Sequence, residues 1–237
     1  IGTYYLKNEN YDLASKYFLK LKNRKSQFVL NNFVANSLLN WVSFNNLSIH
    51  NSEKKIDKIN SQFKNLKKIQ KVFLHCFKNS ENTDLLFNNL ILNESIDFSR
   101  YNYFYANYLI NNNRSKKAEK ILLSSIKEYP RNLLLNQMLF DIQYKKVKTN
   151  FDCRSISNVI GEIFYITANA LSSQYVYTFS NFYLNLAKYL NDDFYAFNTL
   201  LAENYYNLDN YEKALKIYKQ IEKKGEIFNW YAAKQIA

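Results

Sequence analysis

Glycine and proline are scarce in this chain of 237 residues, which contains three glycines and one proline. An all-β domain of this length needs many turns built from these residues, and a phosphate-binding loop needs clustered glycines. The composition therefore excludes both classes. Since only Pro130 is able to break a helix, and 47% of the residues are apolar, we predict a mostly helical chain with a sizeable core.

Cysteine and long apolar runs are also lacking. The only two cysteines, Cys76 and Cys153, are far apart and form no C-x-x-C pair, which argues against a disulfide scaffold. No apolar run approaches the roughly 18 residues of a membrane-spanning helix, and no signal peptide is evident. The chain starts at Ile1 without a methionine and stops at Ala237 inside a predicted helix. This is typical of a piece of a longer polypeptide, and cytoplasm and periplasm both stay open as compartments.

Acidic residues are outnumbered, with 20 Asp and Glu against 32 Lys and Arg, which gives a formal charge of +12. Such a balance favours acidic partners and raises non-specific affinity for nucleic acid or anionic lipid. Because the charge is spread along the whole chain, a solvated basic surface is a better explanation than a dedicated polyanion site.

Residue types that bind metals or perform catalysis are few. Histidine occurs only at His50 and His75, and His75 adjoins Cys76 in an apolar stretch. Adjacent helical residues point about 100° apart, so this pair predicts a packed cysteine and a partly exposed histidine rather than two metal ligands. The acidic doublet Asp192-Asp193 is predicted to cap the following helix. We predict no enzyme, no metal and no cofactor, although catalytic triads are recognised by geometry rather than by sequence position.

What the sequence does contain is an internal repeat. In four stretches a small residue is followed three positions later by a large one, and twelve positions later by a second small residue. The second small residues recur at multiples of about 34, since Ser180 and Ala214 are 34 residues apart and Ala14 and Ala118 are 104 apart. A period near 34 is typical of stacked helix hairpins. Small residues let two antiparallel helices approach closely, and large ones fill the space between neighbouring hairpins.

This pattern resembles that of the tetratricopeptide repeat (TPR) family over residues 1–24, 97–130 and 156–226, and Trp230 resembles the opening of one further repeat. The matching positions are Gly2, Tyr5, Ala14, Phe18, Ala106, Leu109, Ala118, Pro130, Ala168, Leu171, Ala187, Ala202, Tyr205, Tyr211, Ala214 and Tyr218. More loosely, the layout is similar to that of TPR proteins from alphaproteobacteria. The resemblance implies one all-α, right-handed solenoid over residues 1–237, built from about six or seven antiparallel hairpins.

Two parts of the chain depart from the repeat. Between about residues 28 and 96 the helical periodicity persists but the alternation of small and large residues degrades. Around residues 131–155 one unit is predicted to be shortened, because a second helix is missing or truncated. We therefore expect irregular hairpins in the first part and an incomplete unit in the second.

The resemblance implies a non-catalytic protein–protein interaction scaffold that binds a peptide or helix in a concave groove, which the first helix of each hairpin lines. Tyr103 and Tyr165 each stand four residues before an asparagine. Such an asparagine is able to pair with the backbone of an extended peptide while tyrosines pack its side chains. The predicted partner-binding residues on this face are Arg100, Tyr103, Phe104, Asn107, Tyr165, Asn169, Thr199, Glu203 and Tyr206. Solvated asparagines in an asparagine-rich chain explain the recurrence equally well.

An RNA- or polyanion-binding helical repeat protein is the alternative, supported by the basic charge and the aromatic content of 17%. It predicts that lysines and stacking aromatics gather on one inner face. The densest lysine run, at residues 54–71, is absent from the first helices that are expected to line the groove. The peptide-binding scaffold is therefore favoured. The lysines with which some TPR proteins hold a terminal carboxylate are not at the matching positions.

Overall fold

A computed structural model describes residues 1–23, 29–92 and 99–237. Over these ranges the chain forms fourteen α-helices, two short 3-10 helices and no β-strand, so the predicted all-α class is confirmed. The α-helices are α1 Gly2–Lys7, α2 Tyr11–Asn23, α3 Val29–Ser43, α4 Ile49–Asp57, α5 Lys64–Phe77, α6 Thr83–Ile91, α7 Ser99–Asn111, α8 Ser115–Glu128, α9 Leu133–Gln143, α10 Ile156–Ser172, α11 Tyr177–Leu190, α12 Ala196–Asn207, α13 Tyr211–Ile221 and α14 Glu226–Ile236. In this part of the chain no helix is both long enough and apolar enough to cross a bilayer.

The small residues of the repeat lie where consecutive helices pack, in the pairs α1–α2, α7–α8, α10–α11 and α12–α13. Ala14, Ala118 and Ala214 are at most 2% exposed. At Gly2, an added Cβ would come within 2.6 Å of the Phe18 ring, so α1 approaches α2 closely only because this position lacks a side chain. The expectation that these residues line the helix contacts is confirmed.

Each turn between the helices of these pairs contains one residue with a left-handed backbone, which is an asparagine or aspartate in two turns and Glu9 or Tyr175 in the other two. Asn113 and Asp209 adopt left-handed backbone conformations, with φ of 60° and 55°, which these residues tolerate better than most. Asn210 then caps α13 by accepting a hydrogen bond from the backbone N–H of Lys213 at 3.4 Å. Such caps satisfy donors that a helix start leaves unpaired.

The predicted cap at Asp192-Asp193 is wrong. Helix α12 begins at Ala196, and its N-cap residue, Tyr195, makes no side-chain cap. The reason lies in Phe194, which is 2% exposed and packs into the aromatic core. Its burial directs the chain inward before the helix starts, while the two carboxylates stay exposed.

Helices that are distant in sequence also pack together. Helix α3 contacts α10, α1 contacts α11, and α9 contacts α14. The Lys7 ammonium donates a hydrogen bond to the Tyr189 carbonyl at 2.6 Å and stands 4.7 Å from the centroid of its ring. In an array whose units contact only their neighbours, such contacts do not form. The described helices are therefore a packed arrangement in which α1 lies against α11 and α3 lies against α10.

Residues 144–155, which we call the connecting segment, run from α9 to α10 without a helix. Phe151 is 2% exposed, and its ring centroid lies 4.5 Å from that of Phe104 on α7. Two residues later, Cys153 is disulfide-bonded to Cys76 of α5, with the Cα atoms 5.9 Å apart. The sequence argument against a disulfide rested on their separation of 77 residues, and it is wrong because the connecting segment crosses back over the core to α5.

Candidate functional site

The first helices of three repeat hairpins, α7, α10 and α12, border one groove with a volume of about 490 Å³. Helices α5, α9 and α14 complete its walls. The lining residues are Asn65, Leu66, Ile69, Ser99, Arg100, Tyr101, Asn132, Leu133, Leu134, Tyr165, Ile166, Asn169, Ala196, Thr199 and Phe228. The groove thus combines aliphatic surface with amides, hydroxyls and one arginine, which is the usual composition of a binding site.

Arg100 is held at the groove by a buried ion pair. Its Nε and Nη2 donate hydrogen bonds to the two carboxylate oxygens of Glu162, at 2.7 and 2.8 Å. The Glu162 side chain is fully buried and that of Arg100 is 18% exposed. The guanidinium carbon lies 3.7 Å from the centroid of the Tyr165 ring, which is the range of a cation–π contact. Two opposite charges paired in this way give the site almost no net charge.

The protonation of this arginine is fixed by its partner. Burial disfavours the charged guanidinium, but the Glu162 carboxylate more than offsets this effect and raises the pKa of Arg100 above its usual range. Arg100 is therefore a permanent cation. Its Nη1 donates to no other described residue, so one end of the guanidinium is available to a ligand in the groove.

Two asparagine amides in the groove are available as well. Asn65 on α5 is half-buried and Asn169 on α10 is exposed, and neither side-chain amide bonds to another described residue. Asn132 differs, because its amide oxygen caps α9 by accepting from the backbone N–H groups of Leu134 and Leu135. A free amide offers donors and an acceptor together, which matches the requirement of a peptide bond.

Four of the nine predicted partner-binding residues line the groove: Arg100, Tyr165, Asn169 and Thr199. Two others, Glu203 and Tyr206, are exposed farther along α12 and do not line it. The Glu203 carboxylate accepts a hydrogen bond from the Tyr231 hydroxyl at 2.7 Å, so it is engaged with α14. The predicted face of α12 thus reaches the groove only at its start.

The remaining three residues, Tyr103, Phe104 and Asn107, are buried, with exposures of 4%, 1% and 2%. The Tyr103 ring stacks on Phe194, and the Asn107 amide donates a hydrogen bond to the carbonyl of Phe151. Their assignment to a partner-binding face is therefore corrected. This face of α7 is covered by Phe151 of the connecting segment and by Phe194, which precedes α12.

Sequence reasoning missed Glu162 and Asn65. The role of Glu162 was predictable from the sequence, because a lone carboxylate inside the apolar stretch of α10 requires a buried cation as its partner. No sequence feature predicted Asn65 at the groove, since α5 belongs to the irregular part of the chain and no spacing rule places it beside α10. Its position depends on how the irregular hairpins pack.

A second polar cluster lies around His75, outside the groove. His75 is 7% exposed, so the prediction of a partly exposed ring is corrected. Its Nδ1 lies 2.9 Å from the Ser80 hydroxyl and its Nε2 lies 3.2 Å from Glu53 Oε1. The Ser80 hydroxyl also accepts from the backbone N–H of Asn82 at 3.3 Å, which is a turn interaction before α6. We assign the cluster a structural role, joining α4 to the end of α5.

Among the described residues no group of three or more histidine, cysteine, aspartate or glutamate side chains is placed to hold a metal ion. No protein-family model matches the chain, and no curated protein matches it. The resemblance to the TPR family therefore depends on the repeat positions of this sequence and on nothing else.

Proposed function

We propose that this protein is a non-catalytic interaction scaffold that binds an extended peptide or a helix in the groove. The proposal includes a TPR-like, right-handed stacking of the three hairpins α7–α8, α10–α11 and α12–α13. One observation carries it: the first helices of three matched hairpins bring Arg100, Asn169 and Thr199 to the same cavity. The first helix is the element that lines the binding surface in the family that the repeat resembles.

The chemistry of the groove suits a peptide backbone. The free amides of Asn65 and Asn169 provide donors and acceptors for peptide groups, and Leu66, Leu133 and Ile166 provide apolar surface for side chains. Because helices form these walls before a ligand arrives, little ordering cost opposes binding.

A polyanion is a poorer ligand for this groove. Affinity for a phosphate backbone grows with the number of cations that replace counterions. Among the described residues, Arg100 is the only lysine or arginine that lines the cavity, and Glu162 already compensates its charge. The alternative function, RNA or polyanion binding, belongs instead to the surface of α4 and α5, where Lys54, Lys58 and Lys68 are exposed.

A peptide selection tests the proposal. Random short peptides displayed on phage would be selected on the chain, and the affinity of one selected peptide measured by fluorescence anisotropy. We expect Asn65→Ala and Asn169→Ala each to weaken binding by roughly 5- to 10-fold, since one hydrogen bond contributes about 1 kcal/mol. The matched control is Asn89→Ala, which removes an exposed asparagine on α6 outside the groove and leaves affinity unchanged.

Salt concentration separates the two functions. Peptide binding that persists at roughly 0.5 M salt, where exposed charges are strongly screened, supports the scaffold. Unchanged affinity in both groove variants would contradict the assignment of this groove. Failure to select any peptide, together with binding of a uridine homopolymer that is lost as salt rises, would favour the alternative.

A further inference from the structure

The disulfide connects the groove to the connecting segment. Cys76 lies near the end of α5, whose first half lines the groove with Asn65 and Ile69. Cys153 lies three residues before α10, which lines the groove with Asn169. The cross-link therefore joins one wall helix directly to the chain that enters another. Both cysteines are at most 5% exposed, and their Cα separation of 5.9 Å is typical of a disulfide.

The two ends of this bond are held by different sets of helices. The connecting segment keeps hydrogen bonds to its surroundings, because Asn107 donates to the Phe151 carbonyl and Asn191 donates to the Asn150 carbonyl at 3.0 Å. These bonds anchor it to α7 and α11 without the disulfide. Helix α5 is hydrogen-bonded to different helices, because Gln70 donates to the Ser37 hydroxyl of α3 at 3.0 Å and His75 Nε2 lies 3.2 Å from Glu53 Oε1 of α4. It meets α7 through apolar contacts such as that of Phe73 with Phe104, whose ring centroids are 5.4 Å apart.

We propose that Cys76 and Cys153 are a redox control of the groove. The oxidised form fixes α5 to the connecting segment. The reduced form lets α5 move relative to α7 and α10, while the connecting segment stays in place. A ligand that contacts both α5 and α10 binds more weakly to the reduced form. The effect on ligand affinity rests on the proposed function, whereas the effect on α5 does not.

The chemical step is a thiol–disulfide exchange. Forming the bond oxidises two thiols, which together lose two protons and two electrons, and an external disulfide such as oxidised glutathione accepts the electrons. One cysteine thiolate attacks the external disulfide and releases a glutathione thiolate. The other cysteine then attacks the mixed disulfide and releases the second. Because both sulfurs are buried, exchange requires local opening of α5.

Hydrogen exchange on the whole chain tests this proposal. The protein would be equilibrated in oxidised or reduced glutathione, and the loss or gain of two hydrogen atoms verified by mass. On reduction, we expect amide exchange in α5 to accelerate by on the order of tenfold, with residues 150–152 and α13 unchanged. The double variant Cys76→Ser, Cys153→Ser is expected to match the reduced protein in both buffers. The wild-type comparison needs no substitution, so it holds even where this variant folds poorly.

The second readout is the affinity of the phage-selected peptide, expected to be several-fold weaker after reduction. Acceleration of exchange that is spread evenly over all helices would overturn the proposal, since the disulfide would then be a general stabiliser. The absence of acceleration in α5 would overturn it as well, since the bond would then not restrain this helix. An α5 response with unchanged peptide affinity would overturn control of the groove. An α5 response with no selectable peptide would refute the proposed function and leave redox control of α5 standing.

Discussion

Single polar side chains tie neighbouring helices of this protein together. Asp84, in the first turn of α6, accepts from Lys117 Nζ at 2.8 Å and from the Tyr105 hydroxyl at 2.9 Å, and it pairs with Arg114 at 3.1 Å. One carboxylate thus joins α6 to α7 and α8. Burial acts to raise the pKa of Asp84, but the hydrogen bonds from these three residues outweigh it and hold the pKa below its usual value.

This lowered pKa predicts a pH-dependent contribution to stability. A carboxyl whose pKa is lower in the folded state contributes stability above its unfolded pKa, and loses it as pH falls through the folded value. We expect Asp84→Asn to reduce the free energy of unfolding by about 1 kcal/mol at neutral pH. The variant should also lose less stability than the wild type below about pH 4.

Urea unfolding at a series of pH values measures both effects. Asp192→Asn serves as the control, because Asp192 is exposed and bonds to no described side chain. Parallel pH profiles for the wild type and Asp84→Asn would contradict this role of Asp84.

Buried amides show what the residue types alone do not reveal. Asn204 of α12 is fully buried and donates to the Ser180 hydroxyl at 2.8 Å and to Asn181 Oδ1 at 2.9 Å. It also accepts from the Ser172 hydroxyl at 2.6 Å, so it connects α10, α11 and α12. The repeat predicts a small residue at 180 but not this hydrogen bond. In an asparagine-rich chain, sequence does not distinguish the few amides that are buried from the many that are solvated.

At the scale of helices, the best-predicted features are the contacts that require small side chains. Ala106, Ala118, Ala168 and Ala202 are all fully buried, because close helix packing excludes larger side chains at these points. This steric requirement repeats with the unit and is therefore readable from sequence. The start of α12 was not predictable from the sequence, because the burial of Phe194 against other helices overrides the local capping signal.

The contact between α10 and α11 provides a test of these small positions. The carbonyl of Ala168 accepts a hydrogen bond from the Ser180 hydroxyl at 2.8 Å, which brings the two small residues of one repeat together. We expect Ala168→Leu to destabilise the protein by about 1–3 kcal/mol through overpacking, measured by thermal unfolding. Ala170→Leu is the matched control, because Ala170 is exposed on the same helix and its change is expected within about 0.5 kcal/mol. Equal stability of the two variants would mean that the repeat frame is misplaced.

The groove was predictable only in part, because the burial of its residues depends on packing between helices. The same Tyr-x-x-x-Asn spacing occurs in α7 and α10, and local sequence cannot distinguish the two helices. In the fold, Asn169 is exposed in the groove, whereas Asn107 is covered by the connecting segment. That segment falls outside the period of about 34 residues. Its path, and with it the burial of α7, depends on tertiary packing that no repeat position encodes.

At the scale of the whole molecule, the N-terminal hairpin is not the free end of a row. A second cavity of about 680 Å³ lies between α1–α3 and α10–α11, lined by residues that include Leu38, Phe164 and Tyr183. The same helices are also in direct contact, α3 with α10 and α1 with α11. Units of a linear array transmit a perturbation only to their neighbours in sequence. This arrangement instead couples residues near the N-terminus directly to helices far along the chain.

Removing a core side chain from α3 tests that coupling. Leu38 is 2% exposed, and Leu38→Ala is expected to cost about 2–5 kcal/mol because it leaves a cavity. Since α3 rests on α10, we expect native-state hydrogen exchange to show greater loss of protection in α10 and α11 than in α7 and α8. The control is Leu122→Ala in α8, which removes a fully buried side chain. We expect this variant to show the opposite pattern, with more protection lost in α7–α9 than in α10. If Leu38→Ala instead reduces protection more in α8 than in α10, the perturbation follows distance along the chain. The protein would then behave as a linear array.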